Sequence, residues 1–193
     1  MLRGLVESPE ARFRRARLGL ALFLVSLGVA FIGLLVLYGI LRSGMGGWPP
    51  PGFPKPPLLL PSLNTVVVIA SSATLEWVLR GQGESRHRHV RWGLLVTANL
   101  GALFLVIQAL LARQAIAMGL EAGGSIYASL LFAIAGFHAA HVVVGLAALV
   151  GFAWMASRKN LHVRTLEALR LWTVYWHFVG GAWIVIFVLV FVC

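Results

Sequence analysis

Aspartate is absent from the 193 residues, cysteine occurs once, and charged residues of both signs make up only 11% of the chain. A soluble domain carries about 25% charged and roughly 45–50% apolar residues. The 60% hydrophobic content here, with a mean hydropathy of +0.89, excludes a water-soluble globule. A lone Cys193 excludes a disulfide scaffold and a zinc finger built on paired cysteines. The acids are six glutamates, Glu7, Glu10, Glu76, Glu84, Glu121 and Glu167. No apolar stretch holds a carboxylate pair and no Ser, His and acid arrangement is visible, which argues against catalysis by protein groups alone. Internal repeats of useful length are missing too. Gly44, Gly46 and Gly47 run into prolines, not into a helix start, so they form no phosphate cradle.

What the chain does have is long apolar runs. A bilayer core of about 30 Å needs about 20 apolar residues per helix. Five stretches qualify: 18–41, 58–79, 92–112, 126–156 and 171–192. The reading is an all-α, polytopic membrane protein, with a basic N-terminal segment, 1–17, ahead of a single five-helix domain, 18–193. The first run has the length of a full span, longer than the h-region of a secretory signal, and no small-residue cleavage site follows it, so a cleaved signal is not expected.

Basic residues sort by loop. Arg3, Arg12, Arg14, Arg15 and Arg17 precede the first span; Arg80, Arg86, Arg88 and Arg91 separate the second and third; Arg158, Lys159, Arg164 and Arg170 separate the fourth and fifth. The other side keeps only Arg42, Lys55 and Arg113. The positive-inside rule therefore places the N-terminus in the cytoplasm and the C-terminus outside. The net charge of +10 marks topology and contact with anionic head groups, and no nucleic-acid partner is expected. Ser43 to Pro57, rich in Gly and Pro, is expected to be an extended outer loop with Trp48 near the interface.

Polar side chains in hydrocarbon are costly and mark function or specific packing. Glu76 has Arg80 four residues later, the favourable order for a helical ion pair. Asn64, Thr65, Asn99 and Gln108 read as interhelical hydrogen-bonding groups. His138 and His141 share a face of the fourth helix with Gly145, and His177 lies in the run Tyr175, Trp176, His177, Phe178. Facing histidines on adjacent helices can hold a metal or a haem. Against this, His138 and His141 differ in depth by about 4.5 Å, and no carboxylate or cysteine completes a shell, which favours packing histidines. Gly136, Gly145, Gly151, Gly180 and Gly181 suit close helix approach. Trp172, Trp176 and Trp183 form an aromatic stripe, read as a contact face for lipid or a partner subunit.

Taken together, GFHAAHVVVG (136–145), YWHFVGGAW (175–183), SLNTVVVIASS (62–72) and GGWPPPG (46–52) resemble subunit III of the haem-copper oxidases, the cytochrome c oxidase and bo-type ubiquinol oxidase family. The likeness runs from about Leu18 onward and matches the five-helix bacterial form, which lacks the first two spans of the seven-helix form. The resemblance implies a noncatalytic subunit in the bacterial inner membrane, beside subunit I, where the haem and copper reside. It implies bound phospholipid, and no haem or metal in this chain. It assigns His138, His141, Gly145, Tyr175, Trp176, His177, Phe178 and Trp183 to packing, lipid or subunit contact. Two positions depart from the family pattern: the acid expected after Ser26 is Leu27, and the aspartate expected after the Trp-His-Phe-Val run is Gly180. Glu76 is expected to fill neither place. The losses leave open an accessory protein of a nitric oxide reductase; a small transporter or a haem-b carrier is a reading of a different class.

Overall fold

The computed structural model describes residues 9–44, 49, 58–81, 86–158 and 161–192. Five helices account for nearly all of them: α1 (Pro9–Gly44), α2 (Leu59–Arg80), α3 (Arg86–Ala117), α4 (Ile126–Ser157) and α5 (Val163–Ile186), the last continued by a π-helical segment, Phe187–Val192. All five are long and apolar enough to cross a membrane. The helices outrun the apolar stretches at several ends. α1 begins at Pro9, so most of the basic segment 1–17 is the first turns of the spanning helix. Similarly α3 starts at Arg86 and α5 at Val163. Arginine is a good helix former, and its charge places it outside the hydrocarbon without ending the helix. The expected extended loop lies mostly outside the described residues, Trp48 included; at its near end Ser43 and Gly44 still belong to α1.

Local chemistry sets the turn between α3 and α4. Gly119 has φ +85°, a conformation open to glycine. Its N–H donates to the Ile116 carbonyl at 2.9 Å, while Leu120 N–H donates to Ala115 at 3.0 Å. This is a Schellman cap, and buried Leu120 packs against Ala115 as such caps favour. α4 then starts at Ser125, whose Oγ accepts from Ala128 N–H at 3.0 Å.

The bundle is layered. α2 lies along α3, α3 along α4, and α5 closes across α4 and α2. α1 is peripheral, leaning on α5 and α4. It buries one stripe, Leu27, Phe31 and Tyr38, at helical spacing, and leaves residues such as Leu22, Val25, Val29 and Ile32 outward. An outward apolar face is what a lipid-facing helix requires. At its far end α1 is tied to the π-helical segment: Tyr38 Oη donates to Val190 O at 3.5 Å and Arg42 to Leu189 O at 3.4 Å. Leu27, where an acid was expected, is buried in the main core among apolar side chains.

Candidate functional site

The polar groups of α5 converge on α2 and α4. Trp176 Nε1 donates to Ser71 Oγ at 3.2 Å, and Trp183 Nε1 donates to Thr65 Oγ1 at 3.1 Å. Tyr175 Oη donates to the carbonyl oxygen of His141 at 2.9 Å. His177 Nε2 donates to Glu76 Oε1 at 3.1 Å. Two levels of α5, the turn from Tyr175 to His177 and Trp183 about two turns on, are thus bonded to neighbouring helices, which matters because apolar contact gives helices little preference for one another over lipid.

This geometry corrects the aromatic stripe. Trp183 is fully buried and Trp176 nearly so. They face inward because each indole carries an N–H that needs an acceptor, and α2 supplies both. Trp172 remains half-buried, against Tyr175 with centroids 5.2 Å apart. Phe178 is also half-buried and sits over Gly28 of α1.

The glycines divide. A Cβ on Gly145 would lie 2.8 Å from the Trp176 ring, and one on Gly180 would lie 3.1 Å from Val68 Cγ1. These two permit the approach of α5. Gly136, Gly151 and Gly181 have nothing within 4 Å of such a Cβ, so they are not close-packing positions in this chain. Gly101, not singled out from the sequence, is one: its Cβ would lie 2.7 Å from Trp176.

The three histidines have separate surroundings. His138 is fully buried, with the rings of Phe31, Phe104 and Trp183 around it. His141 Nδ1 donates to its own helix at Phe137 O, 2.6 Å away, and its ring packs on Phe137. His177 is taken by Glu76. Among the described residues no three His, Cys or Glu side chains gather as a metal-binding group.

Glu76 also departs from expectation. Among the described residues its ion-pair partner is His177, on another helix, and it makes no bridge to Arg80. The imidazole reaches the carboxylate directly, while Arg80 lies at the end of α2, where its head can turn to the interface. The pair lies one helical turn from Gly180, whose added Cβ would face Ser72, one turn before Glu76 on α2. A carboxylate from α2 therefore approaches α5 one turn from Gly180. Asn64 Nδ2 bonds Gln108 Oε1 at 3.2 Å between α2 and α3, as expected, whereas Asn99 turns back to Leu95 O of its own helix at 2.8 Å.

Two features escaped the sequence reading. Trp77, Trp92 and Trp154 stand exposed near one end of the bundle, with Arg91 over Trp92 and Arg158 over Trp154 at 5.6 and 5.4 Å. Their position at the end of α2, the start of α3 and the end of α4 was a signal available in the sequence. The second is an apolar groove of about 320 Å³ between α3, α4 and the end of α5, with Gln108, Ala112, Phe132, Trp183 and Phe191 in its walls.

Residues 10–193 match the family model described as cytochrome c oxidase subunit III. The chain is 36% identical over 181 residues to a cytochrome c oxidase subunit 3 of Synechocystis sp., covering 90% of this chain and 73% of that protein. It is 30% identical over 187 residues to the subunit 3 of Thermostichus vulcanus, covering 96% and 89%. The subunit 3 of Mus musculus is 29% identical over 181 residues, covering 91% and 68%.

Proposed function

This chain belongs to the cytochrome c oxidase subunit III family, and from that premise we propose that it sits beside the haem- and copper-bearing subunit I of a bacterial inner-membrane oxidase and stabilises it. It is a noncatalytic, multi-pass membrane subunit of a haem-copper oxidase. The observation that carries its proposed role is the commitment of its own polar groups: Tyr175, Trp176, His177 and Trp183 are spent on holding α5 to α2 and α4. Such a chain has α5 braced against its neighbours, which suits it to docking as one body.

The docking face we assign is the α2–α5 seam around Glu76 and His177. Their side chains are 47% and 34% exposed within spanning helices. An ion pair facing lipid is costly, so a protein neighbour on this face is favoured. The groove between α3, α4 and α5 has the volume and apolar lining for a phospholipid acyl chain. The Arg and Trp residues at the ends of α2, α3 and α4 support a cytoplasmic N-terminus, since both residue types anchor at the interface and the basic excess lies inside.

Purification of the tagged chain from its native membrane tests this. The reading requires copurification of a larger subunit with haem-copper absorbance and oxygen-reducing activity. Copurification with a nitric oxide reductase, or recovery of a stable lone chain carrying its own haem, overturns it.

A further inference from the structure

His138 is fully buried, and neither Nδ1 nor Nε2 finds a hydrogen-bond partner among the described residues. A neutral imidazole carries one donor and one acceptor, and leaving either buried and unpaired costs about 1–3 kcal/mol. Its neighbours cannot serve. Phe31 and Phe104 have no polar atoms, and the indole N–H of Trp183 is committed to Thr65.

Beside the imidazole lies a cavity of about 20 Å³, with His138, Ser71, Gly101, Trp176 and Gly180 in its walls. That space admits one water, which needs roughly 10–15 Å³ and at least two polar partners. It is far too small for a lipid chain. Ser71 Oγ donates to Val68 O at 2.8 Å and accepts from Trp176 Nε1 at 3.2 Å, which leaves a lone pair for one further donor. An unpaired imidazole and an incompletely used hydroxyl thus border the same water-sized space.

We propose that this cavity is a binding site for a single internal water, held between the His138 ring and Ser71 Oγ. The water donates one O–H to Ser71 and uses its remaining groups on the imidazole. The result is a hydrogen-bonded chain from His138 through Ser71 to Trp176 that joins α4 to the α2–α5 seam. Gly180 and Gly101 keep the space open. A Cβ at Gly180 would press on Val68, another wall residue, and one at Gly101 would meet Trp176. The site depends on this chain's own packing and not on which complex the chain joins.

The test is an electron cryomicroscopy map of the intact native complex at a resolution that shows ordered solvent. The proposal expects one peak within hydrogen-bond distance of both a His138 ring nitrogen and Ser71 Oγ, and loss of that peak in the Ser71→Ala complex. A wild-type map with no peak there, or with His138 bonded directly to a protein or lipid group, overturns it. So does a peak that persists unchanged in Ser71→Ala. The wild-type map decides the matter alone should Ser71→Ala fail to assemble.

Discussion

His177 on α5 and Glu76 on α2 form an ion pair at 3.1 Å although 101 residues separate them in sequence. Both residues also lie in spanning helices, so the bond fixes the depth of one helix against the other. Tyr175 and Trp176 add bonds at nearly the same level, and Trp183 fixes the helix about two turns further on.

The pair should behave as a coupled unit. Glu76→Ala and His177→Ala should each lower the thermal stability of the purified complex, and the double variant should lose less than their sum. A coupling of about 0.2–1 kcal/mol is expected for a half-exposed pair. Arg80→Ala, by contrast, should leave the Glu76–His177 coupling unchanged. Thermal denaturation of the single and combined variants of Glu76, His177 and Arg80 reads this, and coupling between Glu76 and Arg80 of equal size would refute the assignment.

Gly145 and Gly136 should separate under the same substitution. Gly145→Ala drives a methyl into the Trp176 ring and should cost about 1–3 kcal/mol. Gly136→Ala meets open space and should be near neutral. Melting temperatures of the two complexes check the contrast.

Trp183 offers a third comparison. Trp183→Phe keeps an aromatic ring but loses the hydrogen bond to Thr65, for about 1 kcal/mol. Trp183→Ala also empties the centre of the core and should cost about 3–5 kcal/mol. Subunit retention during detergent washing should follow the same order.

Orientation can be read from Cys193, the chain's single cysteine. A membrane-impermeant maleimide applied to intact spheroplasts should label it, and Cys193→Ser should remove the signal. Labelling only after the cells are lysed would reverse the assigned topology.

The spans were legible because apolar runs of about 20 residues have few alternatives in a bilayer. Their ends were not: arginines that close an apolar window continue a helix, as Arg12 to Arg17 do in α1. Trp176 and Trp183 were legible as an aromatic stripe, but not as an inward one. Direction was set by Ser71 and Thr65 on another helix, which helical periodicity in α5 does not report. Glu76 failed for the same reason. Its spacing to Arg80 was a local signal, and its actual partner is tertiary. The motif histidines read alike in the sequence, yet His138, His141 and His177 reach three different solutions in the bundle.

In the function proposed above, this chain supports redox chemistry it does not carry. The most direct measurement strips it from the purified oxidase, counts haem per subunit I, follows turnover over time, and then adds the chain back. Haem content should stay unchanged, turnover should fade faster without the chain, and durable turnover should return on re-addition. Loss of haem in proportion to the chain removed would contradict it.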